Sequence, residues 1–209
     1  MTPLFSETSL HDTLRSVFDT QRQHARQMAL TTAEQRIERI RRIQDWVNTH
    51  QSDIERVMYD DFRKPAAEVV LGELMSLHAE IKHTIRHLKG WMKPQRLPTP
   101  LALIGTKSQL IHEPKGNVLI IAPWNYPFVL SIRPLVSAIA AGNVAILKPS
   151  ELTPHTSGLI NRMITNLFPV EEVAVFEGDA SVSKALLELP FNHIFFTGSP
   201  AVGRVVMTA

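Results

Sequence analysis

The fold is decided by residues 118–148, which read VLIIAPWNYPFVLSIRPLVSAIAAGNVAILK. An apolar run at 118–122 is followed by a helical pattern at 132–142 and by a second apolar run at 144–148. Short apolar runs without alternating polar residues are typical of strands buried on both faces, as in parallel sheets. The stretch therefore predicts a strand, a crossing helix and a second, parallel strand.

The alternation of apolar runs and helical patterns continues to residue 209. Helical patterns and short apolar runs follow one another at 155–168, 173–178, 181–189, 193–199 and 201–209. Strands that alternate with helices predict an α/β fold with a partial doubly wound parallel sheet. Right-handed crossovers would bring the carboxyl ends of the strands to one edge, where ligands bind. The loops expected at that edge are 123–131, 148–154, 177–181 and 197–201.

Residues before this region divide into two parts. Residues 1–93 have helical periodicity throughout, with apolar side chains such as Ile37, Ile40 and Ile43 spaced for one helix face. Residues 94–116 contain four prolines and short alternating runs, which exclude a helix and predict extended or hairpin segments. The predicted organisation is therefore a helical part at 1–93, an extended excursion at 94–116 and a βαβ part at 117–209.

Composition excludes several classes of protein. Lys and Arg alternate with Asp and Glu and the net charge is only +2, so no basic stripe for nucleic acid is expected. The chain contains no Cys, which removes disulfides and thiolate metal sites, and we predict no metal site. The N-terminus lacks a signal-peptide pattern and no apolar run approaches the roughly 18 residues of a membrane helix. A cytoplasmic protein is the expectation.

The loop after the second strand, LKPSELTP at 147–154, carries a basic and an acidic residue three positions apart. The carboxylate of Glu151 can accept both hydroxyls of an adenosine ribose, and the ammonium of Lys148 can donate to the same sugar or to a phosphate. The alternative is a surface ion pair beside a proline turn.

A possible phosphate site lies in FFTGSPAVGRVV, residues 195–206. Ser199 can cap a helix that begins at Pro200, and Gly198 would let a ligand approach the backbone. The free N–H groups of the first turn would then face a phosphate. The segment matches neither GxGxxG nor a P-loop, and an ordinary Ser-Pro helix start is the alternative.

The loop after the first strand, within IIAPWNYPF at 120–128, presents an amide between two prolines. The side chain of Asn125 can donate to an oxygen on which negative charge develops, and the prolines would stiffen its loop. Trp124 would pack beside or shield the site. In the alternative interpretation, Trp124 fills the core and Asn125 only turns the chain.

Together these motifs are recognisable. APWNYPF (122–128), GNVAILKPSELTP (142–154) and FFTGSPAVGRVV (195–206), in this order, resemble the aldehyde dehydrogenase superfamily. DFRKPAAEVVLGEL (61–74) resembles the branch of class 3, fatty-aldehyde and coniferyl-aldehyde dehydrogenases, and the resemblance covers essentially the whole chain. It implies an NAD-dependent enzyme, with NADP possible, that oxidises a long-chain aliphatic or an aromatic aldehyde to a carboxylic acid.

The resemblance also implies residue roles and an assembly. Asn125 would donate to the thiohemiacetal oxyanion, and residues 94–116 would join an oligomerisation domain in a homodimer. The cofactor would be contacted by Trp124, by the ribose-binding pair Lys148 and Glu151, and by Gly198, Ser199 and Gly203 at the helix that binds the pyrophosphate.

One departure from the family pattern concerns the chemistry itself. The family uses a Cys nucleophile and a Glu base from a catalytic domain, and neither that Cys nor the motif containing that Glu is present in these residues. Without the thiolate no hydride can leave the aldehyde, so we expect the 209-residue chain alone to be inactive. We interpret it as the N-terminal portion of an aldehyde dehydrogenase that stops at Ala209 inside a helix pattern. The alternative is a natural, non-catalytic module that binds nucleotide or another subunit.

Overall fold

The computed structural model describes residues 7–209, so the beginning of the predicted 1–93 part lies outside the described residues. A series of helices comes first, as the periodicity predicts. Thr32 begins the second helix with a capping box, in which its hydroxyl accepts from the backbone N–H of Gln35 and the Gln35 side chain accepts from the Thr32 N–H. The helical elements are α1 (Glu7–Ala29), α2 (Ala33–Thr49), α3 (Gln51–Phe62), α4 (Ala66–Val69), a π-helical turn (Val70–Leu74) and α5 (Met75–Trp91).

The proline-rich excursion forms a small separate sheet. Strands β1 (Gln95–Leu97) and β2 (Ser108–Leu110) pair antiparallel, and a short 3-10 helix at Leu101–Leu103 lies between them. The paired, extended structure expected of this segment is therefore present. Large apolar side chains of the excursion are exposed, among them Leu97, Leu101, Leu103, Ile104, Leu110 and Ile111.

The alternating part contains the main sheet. Its four strands are all parallel and lie in the order β5-β4-β3-β6, as expected for part of a doubly wound fold. Its elements are β3 (Asn117–Ile121), α6 (Val129–Ala141), β4 (Val144–Lys148), α7 (Pro154–Leu167), β5 (Val173–Val175), α8 (Ala180–Leu187), β6 (His193–Phe196) and α9 (Pro200–Thr208).

The two faces of this sheet bury different sets of side chains. Val118 and Ile120 of β3 face the larger apolar cluster with α2, α3, α5, α6 and α7. Leu119 and Ile121 face a second cluster with α1 and α8. Because successive side chains of a strand point to opposite faces, both faces need apolar residues, which explains the continuous apolar run. Strand β6 differs, since its side chains alternate between half-buried and exposed.

An ion pair ties the helical part to the sheet far from the strand ends described below. Arg39 of α2 donates to both carboxylate oxygens of Glu172, from Nε at 2.8 Å and from Nη2 at 2.5 Å. The hydrogen bond to Glu172 raises the pKa of Arg39 against the opposing effect of burial. This bidentate contact fixes α2 against the turn that precedes β5.

Candidate active site

The register of the sheet brings the four predicted loops to one edge, and three of them follow the adjacent strands β4, β3 and β6. Ile121, at the end of β3, is level with Lys148 of β4 and with Phe196 of β6. The ladder continues one residue further, where Ala122 N donates to Lys148 O and Thr197 N donates to Ile121 O, both at 3.1 Å. The loops that follow β3, β4 and β6 therefore leave the sheet side by side.

The loop after β3 presents its polar and aromatic side chains to the outside. Asn125 is exposed and Trp124 is 52% exposed, so Trp124 does not fill the core. The following Pro127 and Phe128 are buried and anchor the loop to the protein interior. The amide of Asn125 is consequently accessible to a ligand at the strand edge, while its backbone is held by the interior.

The loop after β4 contains the predicted acid–base pair in direct contact. The Lys148 ammonium, which is buried, lies 2.7 Å from Oε2 of Glu151. Burial opposes ionisation of Glu151, but the hydrogen bond from Lys148 and further favourable contacts outweigh it and lower the pKa of the carboxyl. Because the Glu151 side chain is 42% exposed, its carboxylate stays open to solvent. The pair therefore presents an ionised acceptor that is oriented by a lysine.

The loop after β6 leads straight into α9. Ser199 is the N-cap and its hydroxyl accepts from Val202 N at 3.3 Å, with Pro200 at the first helical position. Gly198 and Ser199 are exposed, so the first turn of α9 faces solvent. A side chain at position 198 would collide with the ring of Phe196, whereas one at Gly203 would meet that ring at an ordinary 3.5 Å. Phe196 is thus a reason for glycine at 198 that the sequence pattern did not reveal.

These three loops fit the parts of a dinucleotide. An exposed ionised carboxylate suits a ribose diol, because it can accept from two hydroxyls. The open N-terminus of α9 has the N–H groups and the positive helix end that suit a pyrophosphate. The exposed amide of Asn125, in the loop between these two, can donate to a carbonyl oxygen. The residues present are therefore compatible with a bound nicotinamide dinucleotide and an aldehyde at the same edge.

Sequence reasoning missed the side chains that support these loops. Lys64 and Glu73 lie in the stretch 61–74 that carries the resemblance and were given no role, yet both are buried beneath the Asn125 loop. Asp61 was also missed, although its carboxylate binds the first turn of α7 directly after the Glu151 loop. A charged residue within an apolar helical stripe was the available signal for Glu73.

One depression among the described residues lies outside the predicted site. A depression of about 610 Å³ beside α6 and β6 is lined by residues such as Arg133, Ala138 and Phe195, and it includes none of the seven predicted site residues. Within residues 7–209, no three His, Asp or Glu side chains are grouped to hold a metal ion. In the same range no helix is both long and apolar enough to cross a membrane.

The family model described as "Aldehyde dehydrogenase family" matches residues 8–209. The chain therefore belongs to the aldehyde dehydrogenase family, an oxidoreductase family, as the three motifs indicated.

Curated relatives support the same assignment. The 4,4'-diaponeurosporen-aldehyde dehydrogenase of Staphylococcus aureus is 42% identical over 174 residues, which cover 83% of this chain and 38% of that protein. Aldehyde dehydrogenase family 3 member H1 of Arabidopsis thaliana is 38% identical over 176 residues, covering 84% of this chain and 36% of that protein. The chain thus spans less than half the length of these relatives.

A solved structure matches the fold closely. The substrate-bound state of Staphylococcus aureus AldH superposes with a TM-score of 0.90 at 38% identity, covering 93% of this chain and 42% of that chain. The α/β architecture with a parallel sheet is therefore that of the aldehyde dehydrogenases.

Proposed function

We propose that this chain forms the cofactor-binding part of an NAD(P)-dependent aldehyde dehydrogenase that converts an aldehyde to a carboxylic acid. The observation that carries the proposal is the common edge at which Asn125, the Lys148–Glu151 pair and the start of α9 meet in level register. Separately, each loop has an ordinary structural explanation. Side by side, they offer groups suited to a ribose, to a pyrophosphate and to a carbonyl oxygen.

Each residue has a distinct task in this proposal. Glu151, held by Lys148, binds the adenosine ribose, and Trp124 lines the cofactor site. Gly198, Ser199 and Gly203 belong to the helix start that binds the pyrophosphate, where Ser199 keeps the first turn in shape as its cap. When bound, the dinucleotide accepts the hydride that leaves the substrate. Asn125 donates its amide N–H to the aldehyde oxygen as negative charge develops there.

The carboxylate next to the ribose also favours NAD. Its pKa is lowered, so it is ionised at neutral pH and would repel the 2′-phosphate of NADP. We therefore expect NAD to be preferred, with NADP as a weaker alternative.

The substrate class and the assembly are further parts of the proposal. Relatives named for diaponeurosporen-aldehyde and for coniferyl aldehyde support a long-chain aliphatic or an aromatic aldehyde as substrate. We propose that residues 1–93 and 117–209 form the cofactor domain and that 94–116 joins an oligomerisation domain in a homodimer. The exposed apolar side chains of that excursion support a covered surface there. A cytoplasmic location completes the proposal.

The test is an assay of the intact gene product with dodecanal, coniferyl aldehyde and acetaldehyde, following reduction of NAD and of NADP. We expect activity with the first two aldehydes, and Asn125→Ala should lower kcat roughly 100- to 1,000-fold while NAD binding is retained. Absence of cofactor reduction with all three aldehydes would contradict the proposal. NAD binding without any turnover would favour the alternative, a non-catalytic nucleotide-binding module.

The 209 residues by themselves should behave differently. They contain no Cys thiolate to attack an aldehyde, and we propose that this polypeptide alone does not oxidise one. The same assay on the 209-residue chain should give no reduced cofactor, and measurable turnover would show that another residue serves as nucleophile.

A further inference from the structure

A buried ion pair lies directly under the Asn125 loop, and the proposed function assigns it no task. Lys64 Nζ lies 2.7 Å from Oε1 of Glu73, and the two side chains are only 2% and 0% exposed. Taking two charges out of water costs free energy, so a buried ion pair does not by itself indicate a gain in the stability of the fold. Burial raises the pKa of the Glu73 carboxyl, and its contacts with Lys64 and with two backbone amides act in the opposite direction.

Both members of the pair bind the backbone of the Asn125 loop. Oε2 of Glu73 accepts hydrogen bonds from Phe128 N at 3.0 Å and from Val129 N at 3.1 Å. Lys64 Nζ donates to the carbonyl oxygen of Asn125 itself at 3.4 Å. The pair therefore holds the loop at Asn125, whose side-chain amide is exposed at the strand edge, and again at the point where α6 begins.

A π-helical turn supplies the geometry for this anchor. The buried residues Val69 and Leu74 are five positions apart, whereas three or four separate neighbours on one face of an α-helix. The extra residue of the π turn keeps both on the buried side, and Glu73, four positions after Val69, is buried beside Leu74. At Gly72 an added Cβ would lie 2.9 Å from Tyr126 Cε1, so glycine leaves room for that ring. The ring of Tyr126 in turn covers Lys64, whose Nζ lies 3.9 Å from its centroid.

We propose that Lys64 and Glu73 are positioning residues that fix the Asn125 amide for its contact with the aldehyde oxygen, an inference that rests on the proposed function of Asn125. The two residues touch the loop backbone and act only through it. Donors to a developing oxyanion must be placed before the reaction, because a displacement of about 1 Å can cost on the order of 100-fold in rate.

The first experiment is Glu73→Gln in the intact gene product. The amide keeps the size of the side chain but loses one acceptor oxygen, so it cannot serve Lys64 and both backbone amides together. We expect kcat to fall roughly 10- to 100-fold with the aldehyde, while the KM for NAD and the dissociation constant of NAD change little. Hydrogen exchange at the amides of Phe128 and Val129 should speed up in the same variant.

A matched control distinguishes positioning from general destabilisation. Glu172→Gln also removes a carboxylate from an ion pair that is largely buried, but its partner is Arg39 on α2, away from the strand ends. We expect Glu172→Gln to lower the unfolding midpoint in urea while kcat and exchange at Phe128 and Val129 stay at the parent values. If both variants lost kcat in proportion to stability, the role of Glu73 would be purely structural and the inference would fail.

A second variant keeps the charges in place. Gly72→Ala forces the Tyr126 ring, which lies over Lys64 Nζ, to shift while both charged side chains are retained, so it should also lower kcat and leave NAD binding intact. It decides the question even if Glu73→Gln does not fold. If Asn125→Ala has a lowered kcat while the folded Glu73→Gln and Gly72→Ala variants keep the kcat of the parent, the inference is overturned. Parent-level kcat in Asn125→Ala itself would instead overturn the proposed function.

Discussion

At the scale of single residues, contact and exposure bear on interpretations that the sequence left open. Lys148 and Glu151 could have been a plain surface ion pair, since a separation of three positions allows either result. In the structure the lysine is buried while the carboxylate is open, which a surface pair between two solvated side chains would not show. The proposed ribose contact accounts for that asymmetry, because a buried cation holds an exposed acceptor in place.

Glu151→Gln tests this assignment. The uncharged amide has a single acceptor oxygen, so it binds the two ribose hydroxyls less well than the carboxylate, and NAD affinity should fall roughly tenfold. Because the negative charge is lost, the discrimination against NADP should also shrink. Titration of each cofactor, followed by calorimetry, measures both effects. Because the pKa of Glu151 is lowered, the carboxylate stays ionised as pH falls into the ordinary titration range of Glu, and NAD affinity of the parent should hold there.

The control for this prediction is Asp53→Asn. It removes the carboxylate of another ion pair three positions apart, with Arg56 on α3, that lies on a helix surface. NAD and NADP affinities should remain those of the parent. An equal loss in both variants would mean that the effect of Glu151 is not local to the cofactor.

At the scale of secondary-structure elements, residues distant in sequence complete the helix ends near the site. Helix α7 begins directly after the Glu151 loop, and the side chain of its N-cap, Thr153, donates to the carbonyl of Ser150. Its free N–H groups are bound by Asp61 of α3, whose carboxylate accepts from His155 N at 2.9 Å and from Thr156 N at 2.8 Å. A carboxylate in this position also interacts favourably with the positive end of the helix.

Asp61→Ala should therefore destabilise the protein by about 1–2 kcal/mol, as expected for the loss of a helix cap. Equilibrium unfolding in urea measures the change as a lower midpoint with an unaltered slope. The neighbouring Asp60 is exposed, and Asp60→Ala serves as the matched control with a change below about 0.5 kcal/mol. Equal midpoints for the two variants would contradict the cap.

At the scale of the whole molecule, apolar surface remains uncovered at the excursion of residues 94–116. Its strands pair only with each other in the described sheets, and its apolar side chains face solvent. Several large, exposed apolar side chains in one short segment are typical of a contact with another chain. The family assignment does not by itself decide the assembly, so the exposed residues provide the physical argument for a dimer.

The double substitution Leu101→Ser, Ile104→Ser tests that argument. Both side chains are strongly exposed in the excursion, and their loss should weaken the dimer of the intact gene product without unfolding it. Light scattering should show a shift from dimer toward monomer at low micromolar protein. Leu30→Ser, at an equally exposed position between α1 and α2, should leave the mass unchanged. A parent-like mass for the double variant would remove the excursion from the interface.

The sequence by itself was sufficient for the α/β class, the alternation of strands and helices, the common edge of the strand ends and the family. The spacing of apolar residues and the capping residues are local properties of the sequence. The motifs at 122–128, 142–154 and 195–206, which identify the family, are likewise short contiguous segments. Only the tertiary structure decided how those loops are held. Lys64 and Glu73 meet Asn125, Phe128 and Val129 across 55 or more positions of chain, as the separations of their hydrogen bonds record. No local pattern specifies such contacts. Packing of distant segments brings the partners of a buried charge together, and leaving that charge unpaired would cost free energy.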